Sequence, residues 1–411
     1  MFKDMFLNLN RRDTMEDKLW TNSFMALITA SFFMFFSYYM LMAVLPMYVV
    51  DIMNKSSISA GIILTVFIIG STIARFFIGN CLDSFDRRIL LLISSILFLI
   101  ANLLYYGAQT FESLLLLRIF HGCTYGMMTT TLSTITAELV PSSRKGEGIG
   151  YYGTGMSLGM VLGPFVGLYI FSNFGVHEMF LIATVSSFLT FLIGMLVQVP
   201  RMNKEGKIKR KIKFFERAVL KISFIAFLLA LGYCSISSFL SLYTEAMDEP
   251  HAGGYFFLCY GVAMIISRPV IGKIFDKAQG KKIITVSYFV YICGMLLLSY
   301  SSSYVDFCIA GLLLGIGFGS VFSCLQTIMV NSVNSSALGT ANSTYYLFFD
   351  SGIALGSCLL GLLVNILGFQ WMFRISSLII FYSFLFFYLF FIRQTNVLRI
   401  NKGKGRDSSL N

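Results

Sequence analysis

Charge is what this sequence has least of: 31 bases and 20 acids among 411 residues, or 12% in all, against about 25% in an ordinary soluble domain. A water-soluble fold of this length needs more polar surface than that, which excludes an aqueous exterior and leaves lipid as the solvent. Histidine is scarcer still, at three (His121, His177 and His251). No H-E-x-x-H pair exists, and no nucleophile and base converge on one motif, so intramembrane hydrolase and lipid-transferase chemistry is excluded. The absence of G-x-x-x-x-G-K-(S/T) removes ATP as a direct energy source through a P-loop. The eight cysteines are scattered with no C-x-x-C pair. Most fall in apolar runs, where cysteine behaves as a small hydrophobe, so neither a disulfide framework nor a metal site is expected. No cofactor is called for. The net charge of +11 does not point to nucleic acid, because the Lys and Arg cluster between apolar stretches instead of interleaving with aromatics.

What fills the chain is hydrocarbon: 56% hydrophobic residues, with 42 Phe and 21 Met. About 20 apolar residues, rising ~1.5 Å each, cross a hydrocarbon core roughly 30 Å thick. Runs of that size occur at 21–50, 57–80, 89–109, 112–139, 147–172, 178–199, 217–247, 253–274, 283–301, 304–330, 339–367 and 370–392. The pattern predicts an all-α membrane protein of twelve transmembrane helices. The polar leader through Lys18 precedes a run too long for the h-region of a cleaved signal. With an even number of spans both ends of the chain share one face. That face collects the leader bases, Arg87 and Arg88, Arg144 and Lys145, Lys273 to Lys282, the tail from Arg393, and eight bases between Arg201 and Arg217. The other face has little beyond Lys55 and Arg374. Positive charge stays inside, so both termini are expected to be cytoplasmic.

The spans are written twice. Adding 193 to Arg75, Gly79 and Asp83 gives Arg268, Gly272 and Asp276; Gly122 and Gly126 give Gly315 and Gly319. Gly146, Gly159 and Gly163 give Gly339, Gly352 and Gly356, and Gly175, Met179 and Phe180 give Gly368, Met372 and Phe373. A constant offset over four helix regions implies two six-helix bundles. Six is even, so the copies share one orientation about an axis along the membrane normal, with a site between them at the midplane. The expected division is 1–199 for the first bundle, 200–216 for a basic linker, 217–393 for the second bundle and 394–411 for a tail.

The loop after the second span reads Gly79-Asn-Cys-Leu-Asp83-Ser-Phe-Asp-Arg87-Arg88, and its repeat has Gly272, Asp276, Lys277, Gly280, Lys281 and Lys282. Both resemble the G-x-x-x-D-(R/K)-x-G-R-(R/K) motif of the major facilitator superfamily; Ser84 and Asp86 depart from it. The fourth span has Arg118, His121, Gly122 and Gly126 where that family has R-x-x-Q-G-x-x-x-G. The fifth has Gly155, Gly159, Gly163, Pro164 and Gly167, which resembles the signature of the drug/proton antiporter branch and favours export. The four-residue spacing puts these glycines on one face for close helix approach, and Pro164 permits a bend. The resemblance implies a gate latch in which Asp83 meets the start of the eleventh helix near Gly339, neutralised by Arg87, Arg88 or Arg144. It also implies that Arg118 lines the cavity and assists coupling, in a cell membrane of bacterial type.

Ionisable groups deep in a span are functional by default. Asp350 lies about 16 Å into the eleventh span, amid apolar neighbours, where its charge state depends on whether a cation lies close. Arg118 and His121, three apart, share a helix face. The first span carries no acid between Thr21 and Val50, unlike several drug/proton antiporters, which leaves Asp350 with the coupling. Tyr38, Tyr39, Tyr233, Tyr345 and Tyr346 lie at depths suited to lining a cavity for amphipathic, cationic organic substrates. The expected function is secondary, proton-coupled export of small molecules by a monomer. The alternatives are export of a siderophore or other polar metabolite, and uptake by symport.

Overall fold

A computed structural model describes residues 18–199, 214–249 and 252–393. The leader, most of the basic linker, Pro250, His251 and the tail from 394 lie outside the described residues. Twelve long helices follow one another: α1 (Asn22–Met47), α2 (Ser57–Ser84), α3 (Arg87–Leu103), α4 (Phe111–Leu139), α5 (Lys145–Asn173), α6 (Val176–Met195), α7 (Leu220–Ala246), α8 (Ala252–Ile274), α9 (Gly280–Tyr300), α10 (Tyr304–Asn331), α11 (Leu338–Leu367) and α12 (Phe369–Phe387). There is no strand among the described residues.

Local chemistry explains where these helices begin and end. The joins before α4 and α10 are closed by reciprocal capping boxes, Thr110 with Ser113 and Ser303 with Asp306, each satisfying amides that would otherwise be orphaned. The tight turns from α5 to α6 and from α11 to α12 use Gly175 (φ 106°) and Gly368 (φ 81°), a conformation that a side chain resists. These two glycines are repeat mates. Eleven of the twelve helices are long and apolar enough to cross a membrane. The exception is α4, which carries Glu112, Arg118, Glu138 and a Thr-rich inner half. It tolerates that composition because Thr129, Thr130, Thr131 and Thr136 donate to carbonyls four residues back, at 2.8–2.9 Å, and because nearly all of that half is buried among other helices.

The packing repeats as the sequence does. In the first half α1 pairs with α5, α2 with α4, and α3 with α6; in the second α7 pairs with α11, α8 with α10, and α9 with α12. The halves meet mainly through α2 against α11 and α5 against α8. Ser133 on α4 accepts a hydrogen bond of 2.9 Å from Gln326 on α10, and these positions are 193 apart. Repeat mates touch only on the axis that relates them, so this bond marks the pseudo-twofold.

Both crossings between halves are made by glycine pairs at the end that bears the basic loops. A Cβ on Gly339 would stand 2.5 Å from the Gly79 carbonyl, and one on Gly146 would stand 2.6 Å from the Gly272 carbonyl. Backbone meets backbone there, and dispersion replaces the hydrophobic effect as the source of attraction in lipid. Alanine is the better helix former by about 1 kcal/mol, so Gly61→Ala, where nothing lies within 4 Å of the added carbon, is expected to be neutral or stabilising. Gly79→Ala and Gly272→Ala are expected to lower the thermal midpoint of the purified protein by an overpacking cost of about 1–3 kcal/mol, read by size-exclusion chromatography after heating.

Candidate functional site

Asp350, 12 positions after Leu338 at the start of α11, lies about 18 Å along the helix. Its carboxylate does not face lipid. Asp350 Oδ2 is 3.1 Å from Nε of Arg75 on α2 and accepts a hydrogen bond of 3.3 Å from Ser71. The acid belongs to the second bundle and both partners belong to the first, so the pair bridges the halves. Arg75 is 2% exposed and Asp350 16%. Below Arg75 lies the ring of Tyr346, 4.8 Å from the guanidinium carbon, and the Tyr346 hydroxyl accepts from Gln326 at 3.1 Å. Stranding either charge of such a pair by removing the other costs about 3–5 kcal/mol in a protein interior. Arg75 was visible in the sequence as the repeat mate of Arg268, yet nothing in its own surroundings named Asp350 as partner. An intramembrane arginine facing an intramembrane acid was the available signal.

Arg118 and His121 form a second cluster, separate from the first. Arg118 donates from Nε to the Ile63 carbonyl at 3.1 Å and from Nη1 to the Tyr105 hydroxyl at 3.2 Å, and it sits 4.2 Å over the Phe67 ring. Tyr105 in turn lies 2.9 Å from Nδ1 of His121, which is fully buried between Phe67 and Phe98. Tyr38 connects the two clusters: it stacks on Phe67 (5.3 Å) and Tyr125 (4.3 Å) and lies within electrostatic range of Arg118, Asp350 and Arg75. Tyr39 packs edge-on to Tyr38 at 4.9 Å and feels Tyr233, Arg268 and Asp350. Tyr233 stacks on Phe318 at 4.3 Å. Tyr345 departs from expectation. It is wholly buried in the core of the second bundle against Phe322, because α11 turns its neighbour Tyr346, one residue on, toward the interface.

At the end with the basic loops, Asp83 accepts from the amides of Gly339 (2.8 Å) and Thr340 (3.0 Å) and from the Thr340 hydroxyl (2.6 Å). Asp276 accepts from the amides of Gly146 and Glu147, each at 2.8 Å. Each carboxylate therefore caps the first turn of a helix from the opposite half, where orphan amides and the helix dipole favour an anion. The arginines are placed differently from the expectation. Arg87, buried, pairs with Glu138 on α4 and donates to the carbonyls of Leu82 (3.1 Å) and Ser335 (2.6 Å). Arg144 pairs with Glu147 at 2.8 Å, and Arg88 is exposed with its amide on Asp86. Asp83 is held by amides and a hydroxyl, with the positive charge of Arg87 acting on it from within electrostatic range. Lys281 and Lys282 are exposed at the start of α9.

The antiporter-type glycines do bring helices together. Gly155, Gly159, Gly163 and Gly167 all face α1, where a Cβ would meet Ser31, Phe35, Phe36, Tyr39 or Met40 at 2.5–3.0 Å. Pro164 lies inside the continuous α5. An open cavity of about 660 Å³ lies elsewhere, at the ends of α7 and α11 away from the basic loops, lined by Phe239, Leu242, Glu245, Cys358 and Asn365 among others. Asn365 is 15 positions beyond Asp350 on α11, about 22 Å away, so this depression is not where the paired charges are.

Comparison with known proteins follows the geometry. The model of the Major Facilitator Superfamily matches residues 27–357 and 295–410. An uncharacterised MFS-type transporter of Methanocaldococcus jannaschii is 22% identical over 337 residues, 79% of this chain and 87% of that protein. The multidrug resistance protein MdtG of Salmonella schwarzengrund is 24% identical over 360 residues, covering 84% and 89%. Among solved structures, the human organic anion transporter MFSD10 superimposes with a TM-score of 0.75 at 14% identity, covering 89% of this chain and 98% of that one. A bacterial homologue of the iron transporter ferroportin in an outward-facing state gives 0.71 at 13% identity, covering 89% and 98%. At such identities the structures speak for the fold alone. Two six-helix bundles related by a pseudo-twofold, and a family model matched along most of the sequence, make this chain a member of the Major Facilitator Superfamily, a multi-pass membrane transporter of small molecules and not an enzyme.

Proposed function

We propose that the chain exports small amphipathic organic molecules in exchange for protons, as a monomer with both termini in the cytoplasm, by alternating access between the two bundles. The observation that carries this reading is the Arg75–Asp350 pair, an acid and a base joined across the interface at membrane depth. Protonation of Asp350 removes the attraction that draws α11 to α2, and deprotonation restores it. A proton arriving from the outer face and a substrate arriving from the inner face thus compete to set the same contact.

Further support comes from the two latches. Asp83 and Asp276 hold the basic end shut from both halves, beside the glycine crossings of α2 with α11 and α5 with α8. With that end taken as cytoplasmic by its positive charge, the conformation is closed to the cytoplasm. Export, and not uptake, is favoured by the glycine row of α5 against α1 and by the similarity to MdtG, a protein named for multidrug resistance.

Asp350→Asn keeps the shape and loses the titration. It is expected to reduce efflux driven by a pH gradient in proteoliposomes at least tenfold, while exchange of substrate at equal pH continues; unchanged gradient-driven efflux would remove Asp350 as the proton carrier. The double change Asp83→Asn with Asp276→Asn weakens two capping interactions, each about 0.5–2 kcal/mol. It should shift the population toward the state open at the basic end. A single cysteine in place of Ser133, buried on the axis, in a background stripped of native cysteines, should then react with maleimide several-fold faster.

A further inference from the structure

The fold supplies an acid to one of its two repeated arginines and withholds it from the other. Adding 193 to Arg75 gives Arg268, and subtracting 193 from Asp350 gives Ser157. The contacts follow the same correspondence. Ser157 Oγ donates to the Gly153 carbonyl at 3.1 Å, and Arg268 Nη1 donates to that same oxygen at 2.5 Å. Where α11 offers Arg75 a carboxylate, α5 offers Arg268 the Gly153 carbonyl, which Ser157 also engages. Arg268 is 0% exposed, and its Nε and Nη2 have no hydrogen-bond partner. Those two nitrogens form the side-on edge of the guanidinium, the fork that matches the two oxygens of a carboxylate.

The surroundings of Arg268 fit an anion with an apolar body. Its guanidinium carbon lies 5.5 Å from the Phe322 ring, and Tyr260, Tyr39, Tyr346 and Tyr233 are within electrostatic range. Charge balance points the same way. Within the spans, apart from Arg87, the buried arginines are Arg75, Arg118 and Arg268, and Asp350 is the one acid paired with any of them among the described residues. Arg87 and Arg144, at the basic end, have Glu138 and Glu147. Access is through the α5–α8 seam. Arg268 packs against Gly153 across that crossing, which Asp276 latches, so parting the two helices takes away the carbonyl and uncovers the fork to the basic end.

We infer that Arg268 is an anion subsite of the transport path, taking the carboxylate or sulfonate of an organic substrate that enters when α5 and α8 part. This rests on the transport reading and narrows its substrate class, from the cations that an aromatic lining suggests to acids carrying an aromatic or alkyl body.

The test pairs two dyes of one scaffold, fluorescein (anionic) and rhodamine 6G (cationic), in proteoliposomes of the full chain under a pH gradient. Fluorescein transport is expected in the wild type, with a fall of at least tenfold in kcat/KM for Arg268→Gln and a smaller fall for Arg268→Lys. Ser157→Asp provides the missing acid at its repeat position without touching the arginine. It should suppress fluorescein transport to a similar degree while the protein keeps its size-exclusion profile. Transport of rhodamine 6G without fluorescein overturns the anion subsite and leaves the transporter reading standing; transport of neither dye removes both. Fluorescein transport that is indifferent to Ser157→Asp and Arg268→Gln also overturns it.

Discussion

Arg75 and Asp350 face each other at 3.1 Å in a medium where a charge left without its partner is costly. An unpaired charge at the centre of a bilayer is expensive by any scale, so each half of this protein carries a group that is tolerable only when the other half is close. That dependence gives the interface its two-state character. Other contacts between halves, such as glycine on glycine and carboxylate on helix start, are individually modest and can be made and unmade. In the proposed cycle the ion pair sets when they are made, because a single proton would change its energy by more than a cap or a packing contact contributes.

The repeat is best understood through the places where it fails. Gly79 and Gly339 cross as Gly272 and Gly146 do, and Asp83 caps as Asp276 does. These matched parts lie at the basic end and serve closure, a task both halves share. The departures lie deeper. Asp350 has Ser157 as its mate, Arg118 has Gly311, and His121 has Leu314. On the proposed reading, chemistry that acts once per cycle on one ligand has no use for a second copy, and the asymmetry falls at the residues proposed to handle substrate and proton.

Much of the fold was legible in the sequence because lipid imposes so simple a rule. Twelve apolar runs predicted twelve helices within a few residues of the observed ends, and even α4 was found by its length although its Thr-rich half lowers its apolar character. The contact of Asp83 with the start of α11 followed from a motif. The amides that hold its carboxylate did not, since amides at a helix start leave no mark in side-chain identity. Arg75 went unassigned for a related reason: which face of α2 meets which face of α11 is decided by glycine crossings that one sequence does not orient. Tyr345 was misplaced by 100° of helix rotation, the angle between consecutive residues.

The bond between Ser133 and Gln326 on the pseudo-axis has a consequence for how readily the closed end parts. Gln326 also donates to Tyr346, and Ser133 donates to Asn342 at 2.7 Å, so the centre of this seal is a knot of hydroxyls and amides and not a greasy plug. Water entering a parting seam replaces each of those bonds with one of comparable strength. A hydrocarbon stopper would expose bare apolar surface to the incoming water, with nothing to offset it. Rehydration thus smooths the path between the shut and open forms, and the door is hinged on chemistry that solvent can imitate.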